Sequence, residues 1–317
     1  MSKSTFFIIA MLFITISGRC QIGTTEVAAP KQQKEVVVFD STRNFLGNDN
    51  VFSYTGQMLF VLPISDALQE YGYRDFKPIN YNPNNYELVH YGDDAKASRF
   101  NTKYENLSEK YFYVDSITSF RNTLGDTKYI FFLTEKNNSD NRCCYIYNPE
   151  FESGFPFVVM SYFNYVKSKY VGKDVIINKK FVDEYDVKTG NPIKINDDTK
   201  ILWRVKDITI LNNEYHNFVL LIENGNQTTS FWVSRLSFSD NKKVIYLKDE
   251  WNTLVSKYGI SMVKTALHQE IMVGMPKVLL LNSWGEPDRI NAASYGDQYV
   301  YGDQCVYVKG GKVTSWN

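Results

Sequence analysis

Phe163-Asn164-Tyr165-Val166-Lys167-Ser168-Lys169-Tyr170 and Trp251-Asn252-Thr253-Leu254-Val255-Ser256-Lys257-Tyr258 are identical at four of eight positions, and Phe163/Trp251 and Val166/Leu254 are conservative pairs. The offset of 88 residues between them recurs upstream, where Ile130-Phe131-Phe132-Leu133-Thr134-Glu135 lines up with Phe218-Val219-Leu220-Leu221-Ile222-Glu223. Val114-Asp115-Ser116-Ile117-Thr118 resembles Val205-Lys206-Asp207-Ile208-Thr209 after a short gap. Tyr54-Thr55-Gly56-Gln57 and Tyr170-Val171-Gly172-Lys173 open the two copies. Four blocks in one order mark an internal repeat, whose period defines a structural unit. The expected units are residues 35–169, with a longer insertion between Pro63 and Lys110, and residues 170–258.

Within each copy the pattern is strands followed by a helix. Gln57–Leu62, Tyr111–Thr118, Lys128–Leu133 and Arg142–Tyr147 are β-branched or aromatic runs bounded by turn residues. The chain holds 23 Tyr, 21 Phe and 5 Trp, and Tyr and Phe favour half-buried pleated surfaces. Glu223-Asn224-Gly225-Asn226 is a hairpin signal, because Asn-Gly tolerates the positive φ of a tight turn. Glu135-Lys136-Asn137-Asn138 keeps the Asn character. Leu247, Trp251, Leu254, Val255 and Tyr258 form one stripe of a closing helix, with Asp249 near its start and Gly259 past its end. Phe163 and Trp251 are expected at equivalent helix positions, each buried against its own sheet. The expected fold class is mostly β with α+β character: two tandem small β-sheet or partial-barrel modules, each closed by a helix, then a C-terminal α/β module over residues 259–317.

In that last segment Gly274-Met275-Pro276 opens a short helix, with Pro suited to the first turn. Val278, Leu279, Leu281 and Trp284 give it apolar faces. Gly285 is a natural cap, and Pro287 bars continuation. Gln298–Tyr301, Gln304–Val308 and Lys312–Trp316 read as three strands, with Gly310-Gly311 as the last turn. Gly274-Met275, Trp284-Gly285-Glu286-Pro287, Gln298-Tyr299-Val300-Tyr301 and Gly311-Lys312-Val313 resemble the motifs of the SmpA/OmlA family of small envelope lipoproteins, the BamE-like module. The resemblance implies helices against a three-stranded antiparallel sheet and a role in outer-membrane protein assembly. It does not extend to the two repeats, and Leu279 departs from the acidic or amide residue common in the family.

Alternation along a strand sets the candidate binding face. Tyr299 and Tyr301 share one side of their strand, and Cys305 and Tyr307 one side of the next. With the helix over Val300, Val306, Val308 and Val313, the opposite face carries Tyr299, Tyr301, Tyr307 and Trp316. Such a face serves either as an interface with the second repeat or as an open docking surface.

The N-terminus carries an address. Lys3 precedes an apolar run, Phe6–Ile16, which fits a signal-peptide core and falls short of the ~20 residues of a membrane span. Ser17 and Gly18 are small, so residues 1–20 read as a signal peptide and residues 21–34 as a flexible leader, with regular structure starting at Val36–Phe39. Cys20 is a candidate for lipidation, although Arg19 is a poor fit to that motif. No later stretch is apolar enough to span a membrane. Loss of Lys3 and Arg19 takes the formal charge from +0 to −2. A balanced charge argues against nucleic acid, which needs a basic face.

No catalytic, cofactor or metal constellation stands out. His90, His216 and His268 lack metal-ligand spacing. Cys143, Cys144 and Cys305 allow one disulfide to Cys305, from only one of the neighbouring pair, or three free thiols. A Cys305–His268 nucleophile pair has no local signature. Asp183-Glu184 and Asp197-Asp198 read as solvated loops. Three Asn-x-Ser/Thr acceptors, at Asn106, Asn137 and Asn226, are within chance in an Asn-rich chain. The function expected is that of an exported non-catalytic envelope protein acting through protein–protein interaction. The alternative is a glycan-binding protein with aromatic platforms, and an enzyme comes third.

Overall fold

Apolar and polar side chains alternate along the aromatic runs, so each run can bury one face and pair at its edges. In the computed structural model, which describes residues 38–84, 89–193, 202–211, 217–236 and 242–317, they do so in three main antiparallel sheets. The expected signal peptide with Cys20, the leader 21–34, Val36, Asp197-Asp198 and His216 lie outside the described residues.

The first copy contains β1 (Met58–Val61), β2 (Phe76–Pro78), a small hairpin of β3 (Asp94–Ala95) and β4 (Ser98–Thr102), and the one-turn helix α1 (Tyr104–Leu107). These are followed by β5 (Tyr111–Arg121), β6 (Thr127–Glu135), β7 (Asn138–Tyr147), β8 (Phe157–Val159) and α2 (Met160–Tyr170). Its main sheet runs β2-β7-β6-β5-β1-β8. The second copy contains β9 (Asp174–Ile177), β10 (Trp203–Ile210), β11 (Phe218–Asn224), β12 (Gln227–Trp232), β13 (Ile245–Leu247) and α3 (Lys248–Tyr258), in the order β12-β11-β10-β9-β13. Read outward, the two orders correspond strand for strand from β7/β12 to β8/β13. Both sheets carry a bulge at the same point, between Val114 and Ser116 and between Val205 and Asp207. The outer pairing of Phe76 with Tyr145 has its counterpart in a bridge of Val182 to Phe231.

Register corrects one sequence alignment. Val114 faces Leu133 and Val205 faces Ile222. Leu133 therefore corresponds to Ile222, an offset of 89 rather than 88 in this block. The difference matters because a one-residue slip turns every side chain to the other face. Further along, Leu133 faces Cys143 and Ile222 faces Thr229, so Cys143 and Cys144 occupy the places of Thr229 and Ser230.

The first sheet closes over a dense ring cluster. Tyr54 is wholly buried, with ring centroids of Phe39, Phe131, Tyr147 and Phe155 5.1–5.8 Å away. Its hydroxyl accepts from the Leu46 N–H at 2.9 Å and donates to the Asn44 carbonyl at 3.0 Å. The side chain of Asn44 lies along the outer edge of β8, donating to Phe157 O and accepting from the Val159 N–H, both at 2.8 Å. It thereby satisfies edge groups that would otherwise attract another strand.

Each closing helix is covered by the next unit along the chain. On α2, Phe163 is half-buried and stacks 5.9 Å from Phe218 of the second sheet, so the expectation that it is buried against its own sheet fails. On α3, Trp251 is buried, lies edge-on to Tyr246 at 5.6 Å, and shares a core with Val263, Ala266 and Leu267 of α4 (Ile260–Leu267). A buried asparagine marks each junction. Asn217 donates to Pro63 O at 2.6 Å, and Asn178 donates to Leu267 O at 2.8 Å.

After α4 come α5 (Lys277–Trp284), β14 (Arg289–Asn291), β15 (Asp297–Tyr301), β16 (Gln304–Lys309) and β17 (Lys312–Trp316). The sheet has four strands, in the order β14-β15-β16-β17, where three were expected. Arg289–Asn291 is exposed throughout and has no alternating pattern to betray it; its pairing with β15 alone makes it a strand. On α5 the buried apolar residues are Leu279 and Leu280, whereas Val278, expected on an apolar face, is exposed.

Candidate functional site

The side chains expected to form one binding face are divided by the register of β15 and β16. Tyr299 pairs with Val306 and Asp297 with Val308, so Tyr299 lies on the helix side with both valines and is 1% exposed. Tyr301, on the same side, is half-buried, and its hydroxyl donates to Gly285 O at 3.1 Å. Val300, expected under the helix, pairs with Cys305, and Gln298 with Tyr307, on the opposite side. There Gln298 Nε2 donates to the Tyr307 hydroxyl at 3.2 Å. Trp316 stands at the end of β17, 43% exposed. The expected aromatic face is not formed: the register puts Tyr299 on the side that the helices cover and Tyr307 on the other.

The motif residues hold one another. Gly274, at φ 83°, donates its N–H to Val313 O at 2.8 Å, Val313 N–H returns to Met275 O at 2.8 Å, and Pro276 bridges Lys312. Lys277 N–H donates to Gly311 O at 2.9 Å. Met275 is fully buried. Gly285, at φ 84°, ends α5 with its N–H on Leu281 O, the left-handed cap that glycine adopts without a Cβ penalty. These positions are accounted for by the fold of the segment.

One cleft beside them brings polar groups together. It encloses about 470 Å³ and is lined by Lys242, Gln269, Ser283, Trp284, Glu286, Asp288, Tyr301, Gly302 and Gln304. The ends of α4 and α5 supply one wall, and the β15–β16 turn supplies the other. Trp284 is fixed twice: its Nε1–H donates to Gln269 O at 3.2 Å, and its ring meets Tyr301 edge-on at 5.4 Å. Ser283 Oγ donates to Glu270 O at 2.7 Å, and Asp288 Oδ2 accepts from the Gly302 N–H at 2.7 Å. Burial, then the nearby Glu286 carboxylate, pushes the Tyr301 phenol up, so it stays a neutral donor at physiological pH. Sequence reading reached Trp284 and Tyr301 of this cleft but missed Gln269, Glu286, Asp288 and Gln304 as a group. Residues brought together from a helix end and a hairpin turn leave no spacing in the sequence.

Gln269 is backbone-strained, with φ 63° just after α4. The left-handed region costs a residue with a Cβ roughly 1–2 kcal/mol, while glycine loses roughly 0.4–1 kcal/mol through unfolded-chain freedom. Gln269→Gly is therefore expected to stabilise the chain by about 0.5–1 kcal/mol. Urea unfolding measures it, and a loss of stability would show that the glutamine side chain contributes more than its backbone costs.

Among the described residues, no three His, Cys, Asp or Glu side chains gather to hold a metal ion. Cys143, Cys144 and Cys305 are free thiols, and burial pushes Cys144 up to about 11 and Cys143 further. Replacement of that pair by Thr and Ser in the second copy marks it as small core packing. Cys305 faces away from the helices, whereas His268 ends α4 on the helix side, so the suggested pair is not assembled. His90 Nε2 meets Asp94 Oδ1 at 2.7 Å, and Asp183 Oδ2 accepts from Ser230 Oγ at 3.3 Å. No helix among the described residues is long and apolar enough to cross a membrane. The chain matches no protein-family model, no curated protein and no solved structure.

Proposed function

We propose that this chain is an exported, non-catalytic scaffold of the cell envelope, built from two copies of one β module and a BamE-like C-terminal module that engages a protein partner. The observation that carries the reading is serial covering: α2 is roofed by the second sheet and α3 by the C-terminal helices. Repeat arrays are built this way, each unit burying its neighbour's open face and a differing terminal unit closing the series. The duplication is supported by the shared strand order and the shared bulge, and the BamE-like reading by the mutual contacts of the motif residues. Export rests on Phe6–Ile16 with Ser17 and Gly18. In its native host the protein is expected to begin close to Gln21 by intact mass, with an added acyl mass if Cys20 is lipidated. A photo-crosslinker in place of Tyr295, which is 75% exposed, is expected to trap one defined envelope protein in intact cells. Retention of Met1 in a cytoplasmic fraction would refute export, and absence of any discrete adduct would refute the partner.

A further inference from the structure

The cleft at the end of α5 is not used by serial packing, and its ligand is independent of the scaffold reading. We propose that it binds a neutral, pyranose-containing glycan. Its volume of about 470 Å³ lies within the roughly 300–1,000 Å³ typical of small-ligand sites. Its chemistry selects among ligands. Gln269 and Gln304 each present a donor and an acceptor in one plane, while Glu286 and Asp288 present acceptors only. Vicinal sugar hydroxyls, which donate and accept in pairs, match that mixture.

Trp284 supplies the apolar element. A pyranose has one face of C–H groups, and the half-buried Trp284 side chain lining the cleft is the apolar group against which such a face can rest. The Gln269 carbonyl and the Tyr301 ring hold the indole in place, so little side-chain freedom is lost on binding. The strain at Gln269 fits the same picture. A glycine would occupy that backbone at less cost, but it would remove one of the two amides from the cleft.

Other ligand classes fit less well. An apolar ligand would strip water from two carboxylates and two amides without replacing its hydrogen bonds. Anionic ligands meet two carboxylates against Lys242. A lysine-rich peptide would satisfy the carboxylates but leave the amide donors unmatched, at a desolvation cost.

The test is calorimetric titration of the full chain with cellotriose and chitotriose, and with a decalysine peptide in parallel. Gln304→Ala and Glu286→Ala serve as variants, since both side chains are exposed and outside the core. Saturable binding of at least one trisaccharide is expected, weakened about three- to tenfold by each variant, with the melting temperature unchanged. Three results would overturn the assignment: no saturable binding of either trisaccharide at millimolar concentration, trisaccharide binding that both variants leave intact, or decalysine binding that these variants abolish. None of these readouts depends on the Tyr295 cross-link, so the scaffold reading stands or falls separately.

Discussion

Trp251→Ala is expected to destabilise the protein by about 3–5 kcal/mol, the range for removing a large buried aromatic side chain. Trp251 is 6% exposed and belongs to two elements at once. Its ring lies edge-on to Tyr246 of the second sheet, and its core is shared with α4, α5 and the C-terminal sheet through Val263, Leu279, Tyr299 and Val306. Truncation therefore opens a cavity where three layers meet, and rigid strands on two sides limit how far it can collapse. Phe163 stands at the equivalent helix position but is only half-buried against Phe218, so Phe163→Ala is expected to cost less. Chemical unfolding of both variants measures the difference. Equal losses would mean that Trp251 does not join the second module to the C-terminal one.

Above pH 10 the chain is expected to unfold steeply. Burial raises the phenols of Tyr54, Tyr73, Tyr145, Tyr147, Tyr170 and Tyr246 above the ordinary value of 10.0, and Tyr91, also through burial, reaches about 12. A phenol is neutral when protonated, and desolvation penalises the phenolate. The folded chain thus holds these protons more tightly than the unfolded chain. Their stabilisation is complete below the unfolded value near 10 and is lost as pH rises from there through the raised folded values. The cluster amplifies the effect, because a phenolate at Tyr54 also raises its neighbour Tyr147. An ultraviolet pH titration is expected to show these buried tyrosines ionising only as the circular dichroism of the sheets disappears. Reversible ionisation of every tyrosine near pH 10 with the sheets intact would contradict a dry aromatic core. In denaturant the buried tyrosines are expected to ionise near their ordinary value of 10.0.

Local chemistry in the chain determined a good deal on its own. Aromatic and β-branched alternation placed β5, β6 and β7, because a period of two is a covalent property of an extended chain. The stripe from Leu247 to Tyr258 and Gly259 placed α3, because a helix face and its left-handed stop are also set within a few residues. Phe163 and Trp251 were matched correctly, at equivalent points of two helices of equal length.

Tertiary structure alone decided the rest. The one-residue slip between Leu133 and Ile222 is invisible in similar apolar letters, since hydrogen bonding across strands, not composition, sets register. The strand Arg289–Asn291 exists because β15 offers it an edge, not because its residues favour one. Tyr299, Tyr301, Tyr307 and Trp316 are alike in sequence, yet α4 and α5 cover one side of their sheet, which buries Tyr299 and leaves Tyr307 on the other side. The cleft of Gln269, Trp284, Glu286, Asp288 and Gln304 joins a helix end to a hairpin turn. Periodicity and capping act over a few neighbouring residues and can be read along the chain. Register, coverage and convergence act between segments far apart in sequence, and they are settled only when the whole chain packs.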